Sequence, residues 1–278
     1  MVSTVFAHDV RMIGAGAMAV AAVWTLLKII GPILRGIADS LKSSKLRETG
    51  NQVPLTEQDI PFKYVAAITL LSMIPIGLLL WNFLRDSPIS HHLAALIILS
   101  ILFVLVLGLL IASICGYMAG LIGASNSPIS GVGIIVIIAA SLLILLVTGN
   151  TSQTHPTELT AYALFTTAIV FGIATISNDN LQDLKTGQLV GATPWKQQVA
   201  LIIGVIFGSL VIPPVLQLLM TSFGFSGMEG VDETTALQAP QATLLSTIAK
   251  GIFGGDMNWQ LFGLGALIGV VIVIVDEI

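Results

Sequence analysis

The sequence predicts an all-α, polytopic transmembrane helix bundle, and three observations support this. Hydrophobic residues occupy 55% of the 278 positions and charged residues only 9%, whereas a soluble globular domain carries about 25% charged residues. The mean hydropathy is +0.97. The apolar residues form continuous runs rather than alternating patterns, which favours helices over a membrane barrel. Because this number of charges is too small to cover a water-facing surface, the chain is expected to lie in a membrane.

Seven apolar stretches are long enough to cross the hydrocarbon core, which needs about 20 residues per helix. We therefore expect one membrane domain over residues 1–278, with about seven spans and with broken or re-entrant segments among them. The predicted spans are Met12–Leu34, Tyr64–Leu84, His92–Met118, Ile129–Gly149, Leu159–Ser177, Gln198–Met220 and Trp259–Val275.

The lysines and arginines predict the orientation of these spans, because cytoplasmic loops carry an excess of both residues. Simple alternation places only Arg85 and Lys250 on one side. The other side is therefore predicted to be cytoplasmic, which makes this a multi-pass protein of the cell inner membrane and makes residues 39–63 a cytoplasmic polar loop. That side receives Arg35, Lys42, Lys45, Arg47, Lys63, Lys185 and Lys196.

A further helix is expected within the predicted extracytoplasmic loop 223–258. Pro240 suits a first helical turn, and Gly254-Gly255 suits a helix end. Between them, Leu244, Leu245, Ile248, Ile252 and Phe253 share one face. The pattern fits either an interfacial or re-entrant helix or an ordinary amphipathic helix packed on the bundle.

Two features suggest that the chain is part of a longer protein. Seven spans with an external start are an odd set for a self-contained bundle. The last apolar run also stops almost as soon as it reaches its first acidic residues, Asp276 and Glu277.

Prolines interrupt two of the predicted spans. Pro75 lies within the second span, and Pro213 and Pro214 lie within the sixth. Proline removes a backbone donor and leaves the carbonyl four residues earlier without its helical partner. We therefore expect a kink or a break at the double proline.

An uncharged polar segment, GLIGASNSPISG, separates the third and fourth spans at residues 120–131. It suits a tight turn between antiparallel helices, because Asn-Ser-Pro is favourable turn chemistry. It also suits a discontinuous helix, in which Gly120, Gly123 and Gly131 allow close backbone approach and a half-helix after Pro128 points its positive end at an anionic group.

A second polar segment, SNDNLQDLKTGQLVGATP, follows the fifth span at residues 177–194. It suits a solvated loop with a weak Asp183–Lys185 pair. It also suits a polar cavity at a helix end, where a carboxylate can carry a proton. The fragments GLIGASNSP (120–128) and GQLVGATP (187–194) share a glycine, an apolar pair and then Gly-Ala shortly before proline, and paired interruptions of this kind indicate a transporter site.

Both segments resemble signature segments of the oligopeptide transporter family, which includes the yellow stripe-like metal-chelate transporters. The resembling segments are GYMAGLIGASNSPISG (116–131) and DNLQDLKTGQLVGATPWKQQ (179–198). RMIGAGAMAV (11–20) and APQATLLSTIAKGIFGGDMNW (239–259) support the resemblance. It is nearest to the prokaryotic branch and to the C-terminal part of the family's longer chains. The Asn-Pro-Gly motif of the eukaryotic peptide-carrying branch is replaced here by Asn126-Ser127-Pro128, so peptide specificity does not carry over from that motif.

The resemblance implies a proton-coupled secondary transporter, and not an enzyme, that imports short oligopeptides or peptide-like metal chelates. Its expected partners are that substrate, protons and the lipid bilayer, with no nucleic acid, no cofactor and no bound metal, and a homo-oligomer is allowed. Two other hypotheses remain: a membrane-embedded hydrolase using Ser125 and His155, and a channel or structural subunit. The expected substrate-binding or pathway residues are Ser125, Asn126, Pro128, Ser130, Gly131, Asn178 and Asn180, and the candidates for proton coupling are Asp179, Asp183 and Lys185.

Overall fold

The computed structural model describes residues 5–48, 54–123, 127–149, 155–226, 228, 230–232 and 234–278. Seven helices in this part of the chain are long and apolar enough to cross a membrane. The eight α-helices are α1 (Arg11–Glu48), α2 (Phe62–Leu84), α3 (Leu93–Ile122), α4 (Ile129–Thr148), α5 (Pro156–Leu189), α6 (Pro194–Ser222), α7 (Pro240–Gly254) and α8 (Trp259–Glu277). The expected all-α bundle with seven spans is confirmed.

Two pairs of spans run parallel to each other. On α8, Gly265 lies against Ile13, and Glu277 pairs with Lys28, so residue numbers rise together along α1 and α8. On α5, Tyr162 bonds the carbonyl of Leu96 and Ser177 bonds that of Ala112, so α3 and α5 are also parallel. When successive spans cross the membrane in alternating directions, all odd-numbered spans are parallel, and these two pairs are the first and seventh spans and the third and fifth.

The core is built around α4 and α5. Half of the residues in the most apolar stretch of α4 are buried (50%), whereas no residue in the most apolar stretch of α6 is buried (0%). The main cluster joins Leu80 and Leu84 of α2, Ile137 of α4, Tyr162 of α5 and Ile248 of α7. Helix α6 lies outside this core, and α2 contributes only Leu80 and Leu84 near its C-terminal end as buried residues. The other apolar side chains of both helices are largely exposed, as expected for helices that face lipid.

The short helix α7 has the boundaries and the apolar face that the sequence predicts. Pro240 occupies its first turn, and Gly255 ends it in a left-handed conformation with φ of 76°. Its buried residues are Leu244, Leu245, Ile248, Ala249, Ile252 and Phe253. The face packs into the main core cluster, and Gln241 Nε2 donates to the carbonyl of Ser130 in the first turn of α4, at 3.4 Å.

Several helix boundaries differ from the expectation. The prediction of a loop from Asn178 is wrong, because α5 continues to Leu189 and only residues 190–193 separate it from α6. Helix α1 continues to Glu48, so the first ten residues of the segment 39–63 are helical. The double proline does not break α6, which stays helical from Pro194 to Ser222. Polar residues beyond the lipid can extend a helix as well as end it.

Candidate functional site

The first polar segment is a connection between two antiparallel helices. Gly123 ends α3 with φ of 90°, a left-handed conformation that glycine adopts without steric cost. Residues Ser125 and Asn126 lie outside the described residues. The chain re-enters helix at Pro128, whose carbonyl accepts from Val132 N at 2.9 Å. The geometry within the described residues is that of a turn.

Helix α4 begins well inside the bundle rather than level with the end of α3. Ser127 Oγ donates to the carbonyl of Cys115 at 3.4 Å. Cys115 precedes the last residue of α3, Ile122, by seven positions, which corresponds to about 10 Å along a helix. Ser127 therefore lies about two turns back from the end of α3 and places a hydroxyl beside the helical part of α3.

Close backbone contact fixes the first turn of α4 against α1. A Cβ atom on Gly131 would lie 2.9 Å from both the Ala22 Cβ and the Met18 carbonyl oxygen. Met18 and Ala22 lie near the middle of the span Arg11–Gly36. The start of α4 is thus placed at membrane depth against two different helices, α1 and α3.

Asn178 lies at the same level as this start. Its neighbour Ser177 donates to the carbonyl of Ala112 at 2.7 Å, and a Cβ on Gly116 would lie 2.8 Å from Ser177 Oγ. Asn178 itself is 3% exposed. We define the inner recess as Ser127, Pro128, Ser130, Gly131 and Asn178: polar or small residues at the point where α4 begins beside α3 and α5. None of its side chains is charged.

The charged candidates lie farther along α5. Asp179 and Asp183 are exposed and four residues apart, so they share one helix face, and Asn180 is half-buried. The expected Asp183–Lys185 pair is not formed, because residues two apart on a helix point in different directions. Lys185 Nζ instead donates to Gln188 Oε1 at 2.9 Å. The structure brings Asn178 to the recess and leaves these three charges outside it.

The echoed fragment 187–194 lies at the same end of the bundle as the first segment. It spans the last turn of α5 and the connection to α6, with Gly191 at φ of 77°. Ala192 N donates to the carbonyl of Gly187 at 2.8 Å, and the Gln197 side chain packs directly on the Gly187 backbone. Because α3 and α5 are parallel neighbours, both Gly-Ala-containing fragments follow helices that end at similar depth.

A polar clasp at the start of α6 is a feature that the sequence did not predict. Gln198 Nε2 donates to Asp59 Oδ1 at 3.0 Å, and Ile60 N donates to Gln198 Oε1 at 3.0 Å. Trp195 N also donates to the carbonyl of Gln58 at 2.9 Å. These bonds attach the segment before α2 to the start of α6. Nothing in the local sequence pattern indicates such a long-range pairing.

A cavity of about 490 Å³ lies between α1, α2, α3 and α5 and includes Ser177 but none of the five recess residues in its lining. Its volume is within the range of about 300–1,000 Å³ typical of small-molecule sites. Gly116 and Ser177 belong to its wall and also set the level of Asn178. The full lining is Pro32, Ile33, Gly36, Phe62, Ala112, Ser113, Gly116, Tyr117, Ser177 and Leu181. Another cavity of about 500 Å³, between α1 and α8, is almost wholly apolar and lacks polar groups to orient a peptide, apart from Glu277 at its edge.

The described fold and its uncharged inner recess define a multi-pass membrane protein with polar backbone-rich elements inside its bundle. The chain belongs to the OPT family: the family model described as "OPT oligopeptide transporter protein" matches residues 1–278. It is 43% identical over 282 residues to a protein of Haemophilus influenzae named "Putative oligopeptide transporter". The alignment covers 98% of this chain and 44% of that relative, so the chain spans less than half its length. No solved structure matches the chain.

Proposed function

We propose that the complete protein imports short oligopeptides, or peptide-like metal chelates, across the inner membrane together with protons. Membership of the OPT family is the observation that carries this proposal. The family's description and the name of the Haemophilus relative both refer to oligopeptide transport.

The chemistry of the inner recess supports a zwitterionic cargo. A fixed charge within a membrane is costly and binds its partner strongly, whereas hydroxyls, amides and backbone groups can contact a peptide and release it. The hydroxyls of Ser127 and Ser130 and the amide of Asn178 supply such neutral groups, while Gly131 holds this turn of α4 against Met18 and Ala22 of α1. The cavity of about 490 Å³ that Ser177, the neighbour of Asn178 in sequence, helps to line has room for a ligand of this class.

The exposed acids at the end of α5 are our candidates for proton coupling. Asp179 immediately follows Asn178 in α5, and Asp183, on the same face as Asp179, lies five residues or about one and a half turns beyond Asn178. Lys185, two residues beyond Asp183, is the third candidate. Their position beside, rather than inside, the recess would let protonation be coupled to movement of α5.

Peptide uptake into proteoliposomes containing the complete protein tests the proposal. We expect saturable uptake of labelled di- to hexapeptides that an inward proton gradient stimulates, with the stimulation lost in Asp183→Asn. Asp86→Asn is the matched control, since Asp86 is also exposed but lies at the other end of the bundle beside Arg85. Flux without saturation would instead support the channel hypothesis. Saturable uptake whose rate does not change with the proton gradient would refute proton coupling.

A further inference from the structure

A cluster of hydroxyl groups lies in the interface of α3, α4 and α5, remote from the inner recess. Ser100 Oγ is 2.7 Å from Tyr162 Oη and 3.5 Å from Thr166 Oγ1, and Tyr162 Oη donates to the carbonyl of Leu96 at 3.0 Å. Ser100, Tyr162 and Thr166 are each at most 1% exposed. Ser100 lies seven residues into α3, about 10 Å from its first residue.

The hydrogen bonding of this cluster is incomplete within the described residues. A hydroxyl–hydroxyl bond is normally about 2.5–3.0 Å long, so the 3.5 Å separation leaves Thr166 poorly satisfied. Ser141 of α4 and Thr167 of α5 are also buried, and their hydroxyl oxygens have no partner among the described residues, although neither lines the void described next. A buried polar group without a partner is costly, and ordered water is the usual explanation.

A small void lies beside the hydroxyls of Ser100 and Thr166. Its wall includes Ser100, Phe103, Ala140, Ile144 and Thr166. The volume within which the centre of a water molecule can move is about 10 Å³ in this void. One bound water needs roughly 10–15 Å³ of such volume together with two to four polar partners. Ser100 and Thr166 provide two such partners, each able to donate and accept.

We propose that this void is a binding site for one ordered water molecule, which bridges Ser100 Oγ and Thr166 Oγ1 within the membrane-spanning bundle. The water completes the bonding of Thr166 and extends the pair Ser100–Tyr162 into a network that joins α3 to α5 beside α4. The site concerns the packing of the bundle and does not depend on which cargo the protein carries.

An apolar layer separates this site from the inner recess. Val104, Val136, Val170 and Ala174 are buried in one cluster between the two polar regions. Water at Ser100 is therefore enclosed rather than part of a continuous aqueous column, and it should be ordered well enough to observe directly.

A high-resolution structure of the complete protein in nanodiscs tests the proposal, with melting temperatures as a second readout. We expect a density peak about 2.6–3.0 Å from both hydroxyl oxygens. Thr166→Val keeps the shape of the side chain and should remove the peak, and it should lower Tm by about 2–4 °C through the lost bridge. Thr160→Val is the control for losing a buried hydroxyl on the same helix, since Thr160 Oγ1 already donates to the carbonyl of Pro156 at 2.7 Å.

Two results would overturn the proposal. One is an empty void in the wild-type map at a resolution where other buried waters are visible. The other is a Tm of Thr166→Val that is unchanged or higher, because removing an unsatisfied hydroxyl from a dry interior is neutral or stabilising. If Thr166→Val does not fold, the wild-type map alone decides.

Discussion

Replacing Gly265 by alanine is expected to disrupt the parallel pair α1–α8 and to destabilise the protein severely. A Cβ at this position would overlap the backbone carbonyl of Ile13. The reciprocal contact has the same form, because a Cβ on Gly16 would overlap the carbonyl of Phe262. Overpacking a well-packed interior costs about 1–3 kcal/mol and occasionally more, and backbone cannot rotate out of the way as a side chain can.

The chain offers a matched control for each of these glycines. A Cβ on Gly263 or on Gly14 meets nothing within 4 Å. Since alanine stabilises a helix relative to glycine by about 0.5–1 kcal/mol, Gly263→Ala and Gly14→Ala should keep or raise Tm, whereas Gly265→Ala and Gly16→Ala should lower it or prevent folding. Thermal unfolding of the complete protein, followed by size-exclusion chromatography, measures this difference. Equal Tm values for Gly265→Ala and Gly263→Ala would contradict the helix packing.

Replacing Asn178 by leucine is expected to reduce peptide uptake about tenfold or more while the protein remains folded. Asn178 is 3% exposed at the level where α4 begins, so its amide can face only the bundle interior or a ligand. Loss of a hydrogen bond from such a group costs about 1–3 kcal/mol, and each 1.4 kcal/mol corresponds to about a factor of ten in affinity. Leucine has a similar volume and lacks the polar groups.

Initial uptake rates and Tm values measured on the same preparations distinguish transport from structure in this variant. Thr175→Val is the control on α5, because Thr175 is exposed and its hydroxyl bonds its own helix at the carbonyl of Phe171. A fall in Tm proportional to the loss of uptake would assign Asn178 a structural role. Full uptake in Asn178→Leu would remove this residue from the transport path.

Seven spans could be predicted from the sequence because the apolar runs report directly on which segments must contact lipid. Helix ends were harder. The fifth span was expected to stop at Ser177, yet α5 continues to Leu189, since Asn, Asp, Gln and Lys are compatible with helix once it leaves the lipid. Hydropathy detects the membrane boundary of a helix and not its last hydrogen bond.

The helix contacts show the same limit. Gly14 and Gly16 are two glycines of the same span, but of the two only Gly16 lies against α8. Gln198 bonds Asp59 and Ile60, which are 139 and 138 positions away in sequence. Ser100 and Tyr162 are 62 positions apart. Such contacts depend on the register of packed helices, which single-sequence periodicity does not determine. The polar segment at 120–131 was identified correctly as an interruption between spans, while its return to the level of Cys115 required coordinates.

Cysteine labelling at Ser130 tests most directly whether the recess at the start of α4 forms part of a peptide path. Ser130→Cys in the complete protein, in a background without other reactive cysteines, should react with a membrane-impermeant maleimide applied from the cytoplasmic side. Saturating oligopeptide should slow that reaction. Labelling of Asp86→Cys, with the maleimide applied from the opposite side because Asp86 lies at the other end of the bundle, should be unaffected by peptide. Labelling of Ser130→Cys at the same rate with and without peptide would show that the recess is not part of the peptide path.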